Sequence, residues 1–403
     1  MATPSKNIFW LSISRVGSLI LLFLAYTQLF RYLGPEDYGK FQFVLSYITL
    51  FGIVIDFGLQ QYIIKKMSED RSQVKAYFQN FLAVEILLAS MIYLAMIAVA
   101  WFNQYEASVF YAILIGGFGV CLHGLTYPFL AVISAYYDLK KAALLNFIAS
   151  VVNVVIIFIV ILTHQSFVVL LIQQGIYASL AIAVYSYFVR QYIGRPQILR
   201  GITRLNFKLV KKMFIAALPF AVLVGFSTVY NRIDVVLIKS ILGYSQVGFY
   251  GAAYKIYDLL AFFPAVVSHS LYPLFSSLMA ENKLGEVKKL LERYMKFMLA
   301  LALPMATGGM LLSGQLIRLV AGEEYAAAAP VLSVLVWAPA ILFVYIVVNS
   351  IVISQLTKFA TLITGFNVVI NIIGNLVCYL GLELCGSCYD YCQKLCKNFY
   401  FIL

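Results

Sequence analysis

Eight ionisable side chains fall inside stretches of sequence that are otherwise apolar. Arg15, Asp56 and Glu85 lie in the first half; Arg232, Asp234, Lys255, Asp258 and His269 lie in the second. Placing such a group at mid-bilayer costs about 2.5–3.5 kcal/mol on insertion scales, so each should face protein or water and invites a functional reading. Spacing sorts them. Lys255 and Asp258 are three residues apart and share a helix face. His269 follows Asp258 by about three turns and returns to nearly that face. Pro264, between them, should bend the helix and free a carbonyl. Asp56 shares a face with Gln60, and Arg15 has Ser14 and Ser18 beside it. Arg15 and Arg232 have no acidic neighbour at helical spacing in their own spans; Asp234 is two residues from Arg232 and points elsewhere. Unpaired arginines favour a wet cavity with an anionic occupant, whereas Lys255 and Asp258 could equally pair to fix helix packing. His123 and His164 read as ordinary helix or loop residues, and the 31 Phe and 29 Tyr as core and interfacial belt.

The elements that position these groups are long helices. Of 403 residues 63% are hydrophobic and only 11% charged, with a mean hydropathy of +0.91. About 20 apolar residues cross the ~30 Å hydrocarbon layer as a helix, and only helices or closed barrels hide their backbone polar groups there. These runs are too long for barrel strands. The expected fold is all-α, a polytopic membrane helical bundle. Spans are expected at 8–30, 42–63, 79–101, 109–135, 143–162, 167–189, 213–237, 247–272, 297–315, 328–352 and 360–380.

Most of the 29 Lys and Arg fall in alternate connections: Lys65, Lys66, Arg71 and Lys75; Lys140 and Lys141; Arg190 through Lys212; and Lys283 through Lys296. This asymmetry orients the N-terminus towards the cytoplasm. The net charge of +12 then reflects topology and contact with anionic membrane lipids, not nucleic-acid binding. The first apolar stretch is too long for a cleavable signal, contains Arg15 and lacks a small-residue cleavage site. The longest connection contains no Asp or Glu. It reads as a linker, 191–212, between a six-helix lobe at 1–190 and a second lobe at 213–382. Its Leu205–Met213 part is a candidate amphipathic interface helix or, equally, part of a solvated basic loop.

An internal echo supports two lobes. Leu33-Gly34-Pro35-Glu36-Asp37-Tyr38-Gly39-Lys40-Phe41 joins the first two spans, and Leu242-Gly243-Tyr244-Ser245-Gln246-Val247-Gly248-Phe249-Tyr250 joins the seventh and eighth. Both read Leu-Gly-x-x-x-(Tyr/Val)-Gly-x-aromatic, with Gly243 209 residues after Gly34. Glycine supplies the positive φ or close approach that such a corner needs. Both lobes would enter the membrane from the same side, as a parallel repeat.

With these residues in place, the chain resembles the polysaccharide transporters, the O-antigen flippase (Wzx-type) branch of the multidrug/oligosaccharidyl-lipid/polysaccharide exporter superfamily. The resemblance rests on Asn7, on Arg31 through Gly39, and on Asp56-Phe57-Gly58-Leu59. In the second half it rests on Asn231-Arg232-Ile233-Asp234, Gly248-Phe249-Tyr250, Lys255-Ile256-Tyr257 and Tyr272-Pro273. It implies two six-helix lobes around a central cavity that opens alternately to either face. It also implies a cargo, an oligosaccharide on a polyprenyl pyrophosphate, and the polysaccharide polymerase assembly as a partner. No cofactor and no nucleic acid are implied. Arg15, Arg31, Arg232, Lys255 and His269 would attract the headgroup, arginine offering a planar fork to phosphate oxygens. Asp56, Glu85, Asp234 and Asp258 would balance charge or carry coupling protons.

Two relatives of that reading stand beside it: a cation-coupled multidrug exporter, for which the same carboxylates would serve, and a peptidoglycan-precursor flippase. An enzyme would need a water-exposed site with paired carboxylates or a metal, and the short outer loops and acid-free linker argue against one. The end of the chain departs from the family. Cys385-x-x-Cys388-x-x-x-Cys392-x-x-x-Cys396 superficially resembles a metal site. With Ser387 as an AGY codon, however, a string encoding Cys385 to Cys392 can, read one base later, encode a Val-Gly-Ala-Ala-like stretch suited to a membrane helix. Residues 383–403 are therefore expected to be an aberrant tail from a frameshift, leaving the second lobe about five helices, with an inactive truncated product as an alternative reading.

Overall fold

A computed structural model describes residues 4–136, 139–194, 205–281 and 283–343. The described residues form helices, and eight helical segments, the first being Gly17–Glu69, are long and apolar enough to cross a membrane. The all-helical membrane bundle expected from hydropathy is what the chain forms. The expected final span and the Cys-rich tail lie outside the described residues, as does the second part of the span at 328–352.

Backbone contacts divide the chain into two compact units. The first takes the chain up to Ala25 together with Lys40–Val236; the second takes Tyr26–Gly39 and the chain from Leu237 onward. The 14 residues around the first corner thus pack with the second half of the sequence.

In the first unit, α1 (Pro4–Asp56) is followed by α2 (Leu59–Glu69), α3 (Val74–Phe102), α4 (Ala107–Gly124), α5 (Tyr127–Ala135), α6 (Leu139–Leu162) and α7 (Ile172–Ile193). The sequence predicts one span over 42–63, but the helix breaks after Asp56. Phe57 and Gly58 both take positive φ, 44° and 67°, and Asp56 restarts the chain by accepting the Gln60 N–H on Oδ1 at 3.0 Å. The short carboxylate does the work of an N-cap. Gly58 allows this break to lie against the backbone of Phe220 and Ala221, where a β-carbon would come within 2.5 Å of the Ala221 nitrogen.

α4 packs along α7 and α3, and α2 along α5. Gly119 lets α4 approach Gln174 and Gly175 of α7 without an intervening side chain, the small-residue device of helix contacts in lipid. The core gathers Leu59, Phe78, Phe81, Phe129, Val132, Tyr185 and Met213. Leu87, Met91 and Leu94, spaced along one face of α3, remain exposed, as a lipid-facing stripe should.

The end of the expected linker is helical: α8 (Phe207–Leu242) runs unbroken from Phe207 into the seventh span. Lys208, Lys211 and Lys212 interrupt the apolar run but not the helix, because lysine is a good helix former. Asn206 caps this start, its Oδ1 accepting the Leu209 N–H at 3.2 Å, while its own N–H binds the buried Asn80 Oδ1 at 2.8 Å. Residues 195–204 of the linker lie outside the described residues.

The second unit contains α9 (Tyr244–Ala280), α10 (Leu284–Leu311), α11 (Ser313–Ala321), a 3₁₀ turn Glu323–Ala328 and α12 (Ala329–Leu335). The two predicted corners are the same local structure. Gly34 has φ 69°, ψ 174° and Gly243 has φ 89°, ψ −179°, a region open essentially to glycine alone. After Gly34 the helix resumes at Pro35, whose fixed φ and missing N–H suit a first helical position. The loop expected between the first two spans is therefore a one-residue corner inside an otherwise continuous helix. Around it Phe30, Tyr38 and Tyr325 are fully buried, with the Phe30 ring 4.5 Å from Tyr38 and 5.4 Å from Tyr325.

Candidate functional site

In the first unit the structure brings two of the predicted carboxylates together. Asp56, at the end of α1, is half-buried and lines a cavity of about 240 Å³ with Thr49, His123, Gly124, Tyr127 and Thr228. Glu85, on α3, is fully buried, and neither of its carboxylate oxygens has a hydrogen-bond partner among the described residues. It stands behind Gly124, where a β-carbon would lie 3.5 Å from Glu85 Oε2. Asp56 and Glu85 are close enough to feel one another's charge, and Tyr127 feels both.

His123, read from sequence as unremarkable in function, belongs to this group. Its ring stacks on Tyr177 at 5.5 Å and meets Tyr127 edge-on at 5.4 Å. Its four-residue spacing from Tyr127 was the available signal, but Tyr177 and Glu85 come from other helices. Elsewhere in this unit Arg232 is half-buried. Asp234 is buried, and its Oδ1 accepts the Val235 N–H at 2.8 Å. The side chain of Arg15 lies outside the described residues.

In the second unit Lys255 sits on α9 with its Nζ 4.1 Å from the centre of the Tyr26 ring, within cation–π range. Beside it Tyr250, Tyr254 and Tyr257 follow at helical spacing, successive rings 4.9 and 4.8 Å apart. Asp258 is exposed on the same helix. Arg31 does something the sequence did not suggest: Nη2 donates to the Leu319 carbonyl at 2.8 Å, satisfying an orphan acceptor in the last turn of α11. The side chain of His269 lies outside the described residues. Among the described residues no three His, Cys, Asp or Glu side chains converge as metal ligands.

Comparison with known proteins places this arrangement. Residues 5–279 match the model of a family described as polysaccharide biosynthesis protein, and residues 219–377 match the MatE family. The probable low-salt glycan biosynthesis flippase Agl15 of Haloferax volcanii is 23% identical over 393 residues, covering 96% of this chain and 79% of its own length. The probable flippase AglR of the same organism is 31% identical over 107 residues, 27% of this chain and 22% of its own. Among solved structures, the lipid II flippase MurJ in an inward closed conformation aligns with a TM-score of 0.65 at 15% identity, covering 96% of this chain and 90% of its own. An inward-facing multidrug resistance MATE transporter of the MOP superfamily aligns with a TM-score of 0.58 at 14% identity, over 93% and 99%. These structural likenesses establish the helical transporter fold. The chain belongs to the polysaccharide biosynthesis protein family.

Proposed function

We propose that this chain moves a polyprenyl-pyrophosphate-linked oligosaccharide from the cytoplasmic to the outer leaflet of the cytoplasmic membrane by alternating access, for surface polysaccharide assembly. Lys255 carries this reading. It is a cation on a spanning helix, held 4.1 Å over Tyr26 and flanked by a run of tyrosines. An ammonium attracts pyrophosphate, and phenol rings offer flat faces and hydroxyls to sugars. Arg15, Arg232 and His269 share the attraction of the headgroup. Arg31 contributes once its guanidinium leaves the Leu319 carbonyl. Asp234 and Asp258 balance charge, and Asp56 and Glu85 balance charge or carry coupling ions. The N-terminus faces the cytoplasm, and the polysaccharide polymerase assembly receives the product.

A second reading, a cation-coupled exporter, is favoured by one feature, the carboxylate pair beside the first unit's cavity. Complementation separates the two. The gene should rescue surface polysaccharide in a flippase-deficient strain, and its Lys255→Gln variant should not. Drug efflux without polysaccharide rescue would replace the first reading with the second.

A further inference from the structure

At one edge of the first unit, α2 and the starts of α3 and α8 bring together groups that the proposed transport does not use. Tyr62 on α2 and Tyr77 on α3 have only 6% and 3% of their surface exposed, and both belong to the core that includes Phe78, Phe81 and Met213. Their rings are fixed by that packing. The Tyr77 hydroxyl lies beside Tyr62 and within electrostatic reach of two ammonium groups, Lys66 of α2 and Lys212 of α8. The start of α8 reaches this spot because it is pinned. Asn206 donates its N–H to the buried Asn80 Oδ1 at 2.8 Å, and Leu209, Val210 and Met213 pack into the same core. Lys208, Lys211 and Lys212 are left exposed.

The charges at this edge do not cancel. From Leu139 to Ile233 the sequence holds no Asp or Glu, so the start of α8 brings no acid of its own. Lys208, Lys211 and Lys212 form no ion pair among the described residues. α2 adds Lys65, Lys66 and Glu69, and Glu69 Oε2 accepts from Lys66 Nζ at 2.5 Å. An ammonium has three N–H donors, so Glu69 leaves Lys66 donors to spare. Asp70, the next acid along, is engaged by Ser72 and Gln73. Lys75, exposed at the start of α3, adds to the excess. The edge is positive, and its fixed hydroxyls suit an anion with oxygens to share.

Neighbouring apolar side chains indicate which anion. Phe207, the first residue of α8, is 79% exposed beside Lys208, and Ile215, two turns on, is 64% exposed. Bare aromatic and apolar groups next to lysines at the end of a span mark the membrane–water boundary. A soluble anion has no use for them, whereas a lipid does. Basic loops attract anionic lipid diffusely. Two anchored phenols beside two ammonium groups make a discrete place instead, because charge-assisted donors converge on phosphate oxygens. We propose that Lys66, Lys212, Tyr62 and Tyr77 bind the phosphate of an anionic phospholipid, with Lys208 and Lys211 flanking it and Phe207 among its acyl chains. The occupant is a resident membrane lipid and not the cargo, so the inference stands apart from the flippase reading. Held there, the lipid ties the start of α8 to α2 and α3.

The test uses the full chain purified in detergent, with phosphatidylglycerol as the probe and thermal unfolding as the readout. The comparison arms are phosphatidylcholine, whose choline offsets its phosphate, soluble glycerol phosphate, and a polyprenyl pyrophosphate. Phosphatidylglycerol should raise the unfolding temperature, while phosphatidylcholine and glycerol phosphate at the same concentration leave it unchanged. Lys212→Gln should weaken the phosphatidylglycerol midpoint roughly fivefold, and Tyr77→Phe roughly twofold. Lys289→Gln, which removes an equal charge from an exposed position in the second unit, should leave it unchanged. Circular dichroism establishes that each variant is folded; if Tyr77→Phe does not fold, Lys66→Gln replaces it, with the midpoint again weakened. An equal response to glycerol phosphate would show an adventitious ion only. A response to the polyprenyl pyrophosphate alone would give the site to the cargo. An equal loss in Lys289→Gln would show diffuse attraction without a site. Each of these results, an unchanged midpoint in Lys212→Gln, or no response to phosphatidylglycerol would overturn the proposal. Transport is not measured, so failure here is distinct from failure of the flippase reading.

Discussion

The carbonyl oxygen of Tyr244 rests against Gly39, and no β-carbon could stand between them. The same contact recurs with the partners exchanged: the carbonyl of Pro35 rests against Gly248. Adding the repeat offset of 209 residues turns Gly39 into Gly248 and Pro35 into Tyr244, so the two contacts are images of each other. Two helix starts cross backbone to backbone at this point, each offering a first-turn carbonyl to the other's glycine, in Cα–H···O fashion.

Gly39→Ala and Gly248→Ala should therefore destabilise the protein by similar amounts, about 1–3 kcal/mol each as overpacking substitutions. Because the residues share one crossing, the double variant should lose less than the sum of the two. Thermal unfolding in detergent checks this; a neutral Gly39→Ala would contradict the crossing.

Asp56 combines two roles that substitution can separate. Asp56→Ala removes the acceptor for the Gln60 N–H and should cost about 0.5–2 kcal/mol, the usual value of a lost cap. Asp56→Asn keeps an acceptor and should cost a fraction of that. Equal stability losses in the two variants would show that the cap contributes nothing.

Arg31 should matter for stability as well as for cargo. Its bond to the Leu319 carbonyl is exposed, so Arg31→Ala should cost no more than about 1 kcal/mol. Hydrogen exchange should rise in the last turn of α11, where the carbonyl loses its donor. Unchanged exchange there would remove the capping role.

Asp70 predicts a pH effect in a connection between helices. Hydrogen bonds from the Ser72 hydroxyl and N–H and from the Gln73 amide hold its carboxyl below the usual aspartate range. A depressed folded-state pKa contributes stability that is present above the unfolded value, near 3.9, and is lost as pH falls through the folded one. Asp70→Asn should therefore differ from wild type at neutral pH and converge with it in acid. A constant difference down to pH 2 would contradict the assignment.

What the sequence disclosed and what it hid follow from the range of the interactions. Apolar runs and the paired glycine corners are local patterns, and both survive in the fold. The break after Asp56 was missed because Phe57 is not a residue that announces positive φ. Lys208, Lys211 and Lys212 concealed the true start of α8, since hydropathy registers charge and not helix propensity. The cavity beside Glu85 was out of reach because its walls come from several helices; only the carboxylates themselves stood out as costly. The acceptor for Arg31 is a backbone carbonyl 288 residues away, which no side-chain pattern encodes.

The proposed transport depends on cations within the spanning helices that recognise a phosphate-bearing lipid. The most direct measurement is translocation of a fluorescent polyprenyl-pyrophosphate oligosaccharide in vesicles containing the protein, read by quenching from the outside. Wild type should move the lipid. Lys255→Gln, with its ammonium over Tyr26 removed, should reduce the rate at least tenfold while remaining folded. Translocation at the wild-type rate by a folded Lys255→Gln variant would contradict the central claim.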